Sequence, residues 1–329
     1  MNVNDGASAW APASISNLGP GFDAFGAALA GLGDTVSVKC SSTVQDTVCF
    51  SPDSVWRGPT DPGRNTASVA ARAVAQRLGY DGGLDIEITK GLPAGTGMGS
   101  SAASCVAAAV ATEALLGARL ETEDMLAAII EGEAATSGHG HADNVLPALL
   151  GGLIMMRSVS PSDYIRFEGW ESLFFVVVLP EMEVLTREAR TALPESIPLA
   201  KAVDHAARLG LLLNALHHQD APSLGKWMMS DDIVVPARKH LWPHLDDVVA
   251  GAMQAGAEGC AISGSGPAVL ACCSGNGADR LRSVSSAMQA ACIENGFEAT
   301  AAVHQIDNIG ARILTTDGPV SYRTRQPIS

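Results

Sequence analysis

The chain has 329 residues, of which 47% are apolar, 17% charged and 5% aromatic, enough to bury one large core or two apposed ones and too aliphatic for disorder. Its 35 acidic residues against 21 basic ones give a net charge of −14, which excludes a general basic patch for nucleic acid or anionic lipid. A polyphosphate ligand would have to be held locally, by backbone amides, a few arginines and a divalent cation.

In chain order, the N-terminal MNVNDGASAW has neither a basic nor an apolar leader region, and no apolar run reaches the roughly 18 residues of a membrane span, so a soluble cytoplasmic protein is expected. Ala7–Ala13 reads as a short strand entering a Pro/Ser/Asn/Gly segment, and Asp34–Cys40 alternates as a half-buried strand should. Asn65–Leu78 has helical spacing stopped by Gly79, and Leu84–Thr89 alternates again. Ser100–Leu116 and Thr122–Ala135 read as helices, and 138–150 as a turn leading into a short helix. Strands are expected at Leu153–Arg157, Leu173–Leu179, Gly259–Ser263, Ala268–Cys273 and Ala299–Gln305. Helices are expected at Leu199–His218, Leu241–Ala255 and Ala278–Asn295, and weak order after Thr316. This is an α+β alternation, with a division expected near residue 157 into parts 1–157 and 158–329. The seven cysteines are odd in number, scattered and without a C-x-x-C pair, which reads as buried free thiols in a reducing compartment.

GLPAGTGMGSSAASCVAAAVA, from Gly91 to Ala111, carries the most chemistry. A strand ends, glycines follow at 91, 95, 97 and 99, and a helix starts at Ser100. Glycines permit close backbone approach, and a helix start offers unpaired N–H groups with partial positive charge, together an anion site suited to phosphate. The Ser100 and Ser101 hydroxyls could cap the helix, and one could reach a metal ion. A Walker loop requires G-K-[ST], but Ser100 follows Gly99; a dinucleotide fingerprint requires G-x-G-x-x-G, but the spacing here is G-x-G-x-G.

Two further segments accompany it: PASISNLGPGFDAFGAAL (Pro12–Leu29) and AISGSGPAVLA (Ala261–Ala271), a glycine-rich turn between strands. With Pro93–Ala103 they resemble, in order, the three motifs of the galactokinase, homoserine kinase, mevalonate kinase and phosphomevalonate kinase (GHMP) superfamily. Along nearly the whole chain the resemblance is to homoserine kinases, through SNLGPGFD (Ser16–Asp23) and HADNVLPALLGG (His141–Gly152). It implies an N-terminal half like ribosomal protein S5, a ferredoxin-like C-terminal half, and ATP-dependent phosphorylation of L-homoserine on the route to threonine.

The resemblance also implies roles. Pro93, Gly95, Gly97, Gly99, Ser100, Ser101 and Ala102 would hold the ATP phosphates, with Asn65 in GRNTAS near the base. Ser100 or Ser101 with Glu133 would bind Mg²⁺, an ion that takes few protein ligands; Glu131 lies close by. Asn17, Asp23, Asn144, Arg190, Arg238 and Gly264 would receive homoserine, with Asp23 suited to its ammonium and the arginines to its carboxylate. Arg187 is a weaker arginine candidate. His141, Asp143 and Asn144 would flank the reacting hydroxyl, where alignment and charge stabilisation can suffice for phosphoryl transfer. Thr96 and Met98 stand where relatives often carry a basic residue and leucine, and a homodimer is the family-like expectation. Three other readings stay open. They are a mevalonate- or shikimate-type acceptor, a ligand sensor without turnover, and a transition-metal site at His139, His141 and Asp143, which lacks a further ligand at convincing spacing.

Overall fold

The structure is a computed structural model that describes residues 5–137, 140–158, 163–275 and 277–323. It contains two sheets. The larger is built on a long antiparallel pair, β1 (Ala7–Asn17) and β2 (Gly21–Cys40), with register shifts at Pro12/Ala13 and Ser16/Asn17. The Pro/Ser/Asn/Gly segment expected after Ala13 therefore continues as strand to Asn17 and turns only at Leu18–Pro20. Ala13, Ile15, Leu18, Phe25, Ala27 and Leu29 are fully buried in one cluster, and that packing overrides local turn composition. β3 (Thr47–Phe50) runs parallel to β4 (Leu84–Thr89), which pairs with the outer end of β2.

Four helices complete this part: α1 (Thr66–Arg77), α2 (Ser100–Leu115), α3 (Thr122–Ser137) and α4 (Ala142–Leu150). α2 lies on β1 and β2 and is covered by α1 and α3. Its stretch Cys105–Ala111 has no exposed surface, because an alanine-rich helix can approach its neighbours from every side.

β5 (Leu153–Met156) pairs with the inner end of β2 and with β6 (Tyr164–Phe167). The division expected at residue 157 thus falls within a hairpin. The chain later returns to the same sheet through β11 (Arg312–Thr315) beside β1 and β12 (Gly318–Ser321). Weak order was expected after Thr316, yet 318–321 form a strand; the pairing partner at 312–315 is what stabilises it.

The second sheet has the order β10 (Ala299–His304), β7 (Leu173–Pro180), β9 (Val269–Ser274), β8 (Gly259–Ile262), all antiparallel. Continuous hydrophobicity in β7 has a direct cause: both faces are covered. Phe175 and Val177 pack toward β1, β2, α6 (Leu199–His217) and α7 (Ala221–Met228). Val176 and Val178 pack toward α9 (Leu245–Gln254) and α10 (Ala278–Glu294). Two short helices, α5 (Thr186–Thr191) and α8 (Val234–Arg238), sit beside the junction of the sheets. The helix expected from Leu241 starts at Leu245, since Trp242 before Pro243 is held out of helical conformation. Five cysteines are buried as expected; Cys49 is exposed and Cys40 half-buried. Among the described residues no helix is long and apolar enough to cross a membrane.

Candidate active site

The loop between β4 and α2 alternates left-handed glycines: φ is +72° at Gly95, +75° at Gly97 and +63° at Gly99. At two of them a side chain has no room. A Cβ on Gly97 would lie 2.3 Å from the Ser263 carbonyl oxygen, and one on Gly99 2.0 Å from Ser14 Oγ. Gly99 itself caps α2, without a side-chain cap, so the capping expected of the serines does not occur. Ser100 Oγ instead donates back to the Leu92 carbonyl at 3.1 Å. Ser101 Oγ is buried without a hydrogen-bond partner and faces the cavity.

Behind the loop lies Lys90, 3% exposed, ion-paired with the fully buried Asp34. Its ammonium also donates to the Ser100 carbonyl (2.7 Å) and Ser104 Oγ (3.0 Å), tying the first turn of α2 to the sheet.

The other two glycine-rich segments clamp this loop. Ser263 Oγ donates to the Gly97 carbonyl at 2.6 Å, Ala268 N to the Thr96 carbonyl at 3.3 Å, and Ser14 N to the Met98 carbonyl at 3.2 Å. Asn17 Nδ2 donates to the Gly264 carbonyl at 2.9 Å, and Gly264 N to the Ser16 carbonyl at 3.1 Å. Asn17 and Gly264 therefore hold each other as well as facing the cavity.

A cavity of about 180 Å³ opens at this junction. Its walls bring together Asn17, Asp23, the loop from Ala94 to Gly97 and from Gly99 to Ala102, Glu133, His141, Asp143, Asn144, Arg190, Arg238 and Gly264. Pro93 is part of the loop but not of the wall; its carbonyl accepts from Thr96 Oγ1 at 3.3 Å. Arg187 points away, to an exposed face beside His240 and Leu241.

Asp143 is almost fully buried, and desolvation, reinforced by Asp23, pushes its carboxyl up to about 6. Asn144 Nδ2 donates to Asp143 Oδ1 (3.2 Å) and Ser16 Oγ (3.3 Å), while its Oδ1 accepts from Ser14 Oγ (3.0 Å). His141 Nδ1 is 3.5 Å from Glu133 Oε2, and this contact raises the imidazole above its ordinary value despite burial. Glu133 Oε1 accepts from the buried Cys105 thiol.

Asp23 and Arg190 form a two-point pair, Nη1 to Oδ2 at 2.9 Å and Nη2 to Oδ1 at 3.1 Å. Arg238 is 2% exposed, donates from Nε to the Ala189 carbonyl at 2.6 Å, and stacks 4.9 Å from the Phe22 ring. Burial, and then the neighbouring Arg190, lower it to about 10.

A second cavity, of about 210 Å³, meets the first at Ala94, Ser100 and Ser101. Phe50, Trp56, Pro59, Asn65 and Lys90 line it. Asn65 is engaged at both ends of its amide. It caps α1 by accepting from Ser68 N at 3.2 Å and donates to the Pro59 carbonyl at 2.8 Å. His139 lies outside the described residues, and among those described no cluster of three metal-ligating side chains occurs. Sequence reasoning missed Ser14, Ser16, Phe22 and Lys90. The first three stand inside the quoted Pro12–Leu29 motif, and Lys90 is a lone charge ending an alternating strand.

Models of the GHMP kinases N-terminal domain and of the GHMP kinases C-terminal region match residues 65–152 and 212–294, so fold and site together define a GHMP kinase. The homoserine kinase of Arabidopsis thaliana is 38% identical over 314 residues, 93% of this chain and 84% of the relative. That of Pyrococcus abyssi is 38% identical over 290 residues, 88% and 94% respectively. The crystal structure of homoserine kinase from Cytophaga hutchinsonii superposes with a TM-score of 0.87 at 36% identity, covering 95% of this chain and 98% of that one. The chain belongs to the homoserine kinase family.

Proposed function

We propose that the chain transfers the γ-phosphoryl group of ATP to the hydroxyl of L-homoserine, giving O-phospho-L-homoserine and ADP. The observation that carries this reading is the 180 Å³ cavity, in which a glycine-rich anion loop faces the Asp23 carboxylate and the Arg190 and Arg238 guanidiniums, fit for an amino acid.

The unpaired N–H groups of the loop and of the start of α2 hold the polyphosphate, and the Phe50 and Trp56 cavity receives the base. Asn65 acts there by fixing α1 and the 59–65 segment, its amide being already engaged. Mg²⁺ fits the site, because a partnerless buried Ser101 hydroxyl and the Glu133 carboxylate supply hard oxygen donors. When bound, it neutralises charge on the phosphoryl oxygens. Asp23 receives the substrate ammonium, and Arg190 and Arg238 its carboxylate. Asn144 aligns the hydroxyl, and Asp143, with a carboxyl raised toward neutrality, takes its proton. His141 holds Glu133 in place. The family resemblance supports proposing a homodimer, tested by sedimentation velocity, and a cytoplasmic location, tested by cell fractionation.

ADP release measured over L-homoserine, mevalonate, shikimate, pantoate and galactose tests the assignment. Turnover is expected on homoserine; turnover of another acceptor with none on homoserine refutes it.

A further inference from the structure

Three charged groups form the acceptor end of the cavity, and they are not equivalent. Asp23 is fixed by its backbone, at φ +54° with its N–H donated to Asn17 Oδ1 at 3.1 Å. Both of its carboxylate oxygens are taken by Arg190. Arg238 is buried, anchored through Nε, and has no ion-pair partner among the described residues. The Phe22 ring lies under both guanidiniums, 5.9 Å from Arg190 and 4.9 Å from Arg238.

We propose that the Asp23–Arg190 pair is a latch that selects zwitterions: it opens at no net loss only for a ligand bringing both an ammonium and a carboxylate. The inference rests on the homoserine reading and adds to it a mechanism of specificity. Arg238 is the standing carboxylate anchor, because no carboxylate among the described residues pairs with it directly, Asp23 and Asp231 acting on it only at a distance. Arg190 is already committed. A ligand with a carboxylate alone must draw Arg190 off Asp23 and leave that carboxylate unpaired, or forgo Arg190. A ligand with an ammonium alone must displace Arg190 and leave two guanidiniums side by side. An α-amino acid replaces one ion pair by two, so every charge in the pocket ends with a partner.

The pair is partly exposed, Arg190 33% and Asp23 42%, so the latch is a modest one. Removing one member is expected to change the half-ligand's kcat/KM by about three- to five-fold, the range of an exposed two-point ion pair.

The test uses the full chain and three acceptors: L-homoserine, γ-hydroxybutyrate, which lacks the ammonium, and propanolamine, which lacks the carboxylate. Asp23→Asn keeps a residue that tolerates positive φ. It should lose most activity on homoserine yet gain about three- to five-fold on γ-hydroxybutyrate, because Arg190 is freed. Arg190→Gln should likewise gain on propanolamine, because Asp23 is freed. Arg238→Gln should lose on both carboxylate acceptors and gain on neither. Simple loss of contacts predicts no gain anywhere. If Asp23→Asn and Arg190→Gln leave the half-ligands unchanged or worse while the unaltered enzyme phosphorylates homoserine, the latch is wrong and the functional reading stands. If the unaltered enzyme does not phosphorylate homoserine, the functional reading falls first.

Discussion

Ser100 and Ser101 are neighbours of one type, yet only one hydroxyl remains for a ligand. Ser100 Oγ is spent on the Leu92 carbonyl, whereas Ser101 Oγ is buried without a partner at the meeting point of the two cavities. Ser101→Ala should raise the Mg²⁺ concentration for half-maximal rate about ten-fold, the loss of one well-placed ligand, with Ser100→Ala close to unchanged. Metal titrations of the two variants decide it, and equal effects would assign them one role. Asp143 gives a pH prediction. Burial keeps its carboxyl protonated up to about pH 6 against an ordinary 3.8, so the basic form is lost on acidification. The kcat/KM profile should fall below about pH 6, and Asp143→Asn should abolish that limb and lower kcat about 100-fold. A flat profile from pH 5 to 8 would leave Asp143 a positioning group only. Sequence could name the serine pair and the aspartate, but not divide their labour. Where a hydroxyl points, and how dry a carboxylate is, depend on Leu92, Asp23 and Ser16, which lie in other segments.

At the scale of elements, β4 and α2 were legible almost to the residue, since their periodicity and the glycines between them are local signals. What joins them was not. Lys90 and Asp34 are 56 positions apart in sequence, and only the β2–β4 pairing brings them together under Ser100. Lys90→Met leaves Asp34 buried and unpaired and should cost about 3–5 kcal/mol of stability, read from urea unfolding. A loss below about 1 kcal/mol would mean that Ser104 Oγ and Gly91 N satisfy Asp34 unaided. β3, β6, α5, α8 and β11, each four to six residues long, were missed, although β4, β5 and β8 are as short and were read. α7 did carry a signal: Asp220 accepts from Ser223 N at its start, and Pro222 follows in the first turn.

At the scale of the molecule, the motif order was readable, because each of the three glycine-rich segments is written contiguously; the cavity wall was readable only in part, since Ser16 and Phe22 also line it. The sheet order was not, since the return of β11 beside β1 pairs Ser8 with Leu314 and nothing local announces it. Both sheets contribute to the glycine-rich loop's supports, through Ser14 on β1 and through Ser263 and Ala268 in the turn between β8 and β9. Heating should therefore produce one unfolding transition followed by both circular dichroism and loss of nucleotide binding; two separated transitions would show the sheets melting independently. The carbonyls of Thr96, Gly97 and Met98 are each held by a group outside the loop, so the loop keeps its shape without a ligand. It is a mould, already cast when the anion arrives. Nucleotide should enter in a single fast phase with little ordering to do, and any slow step in assembling the ternary complex belongs to the amino acid's side.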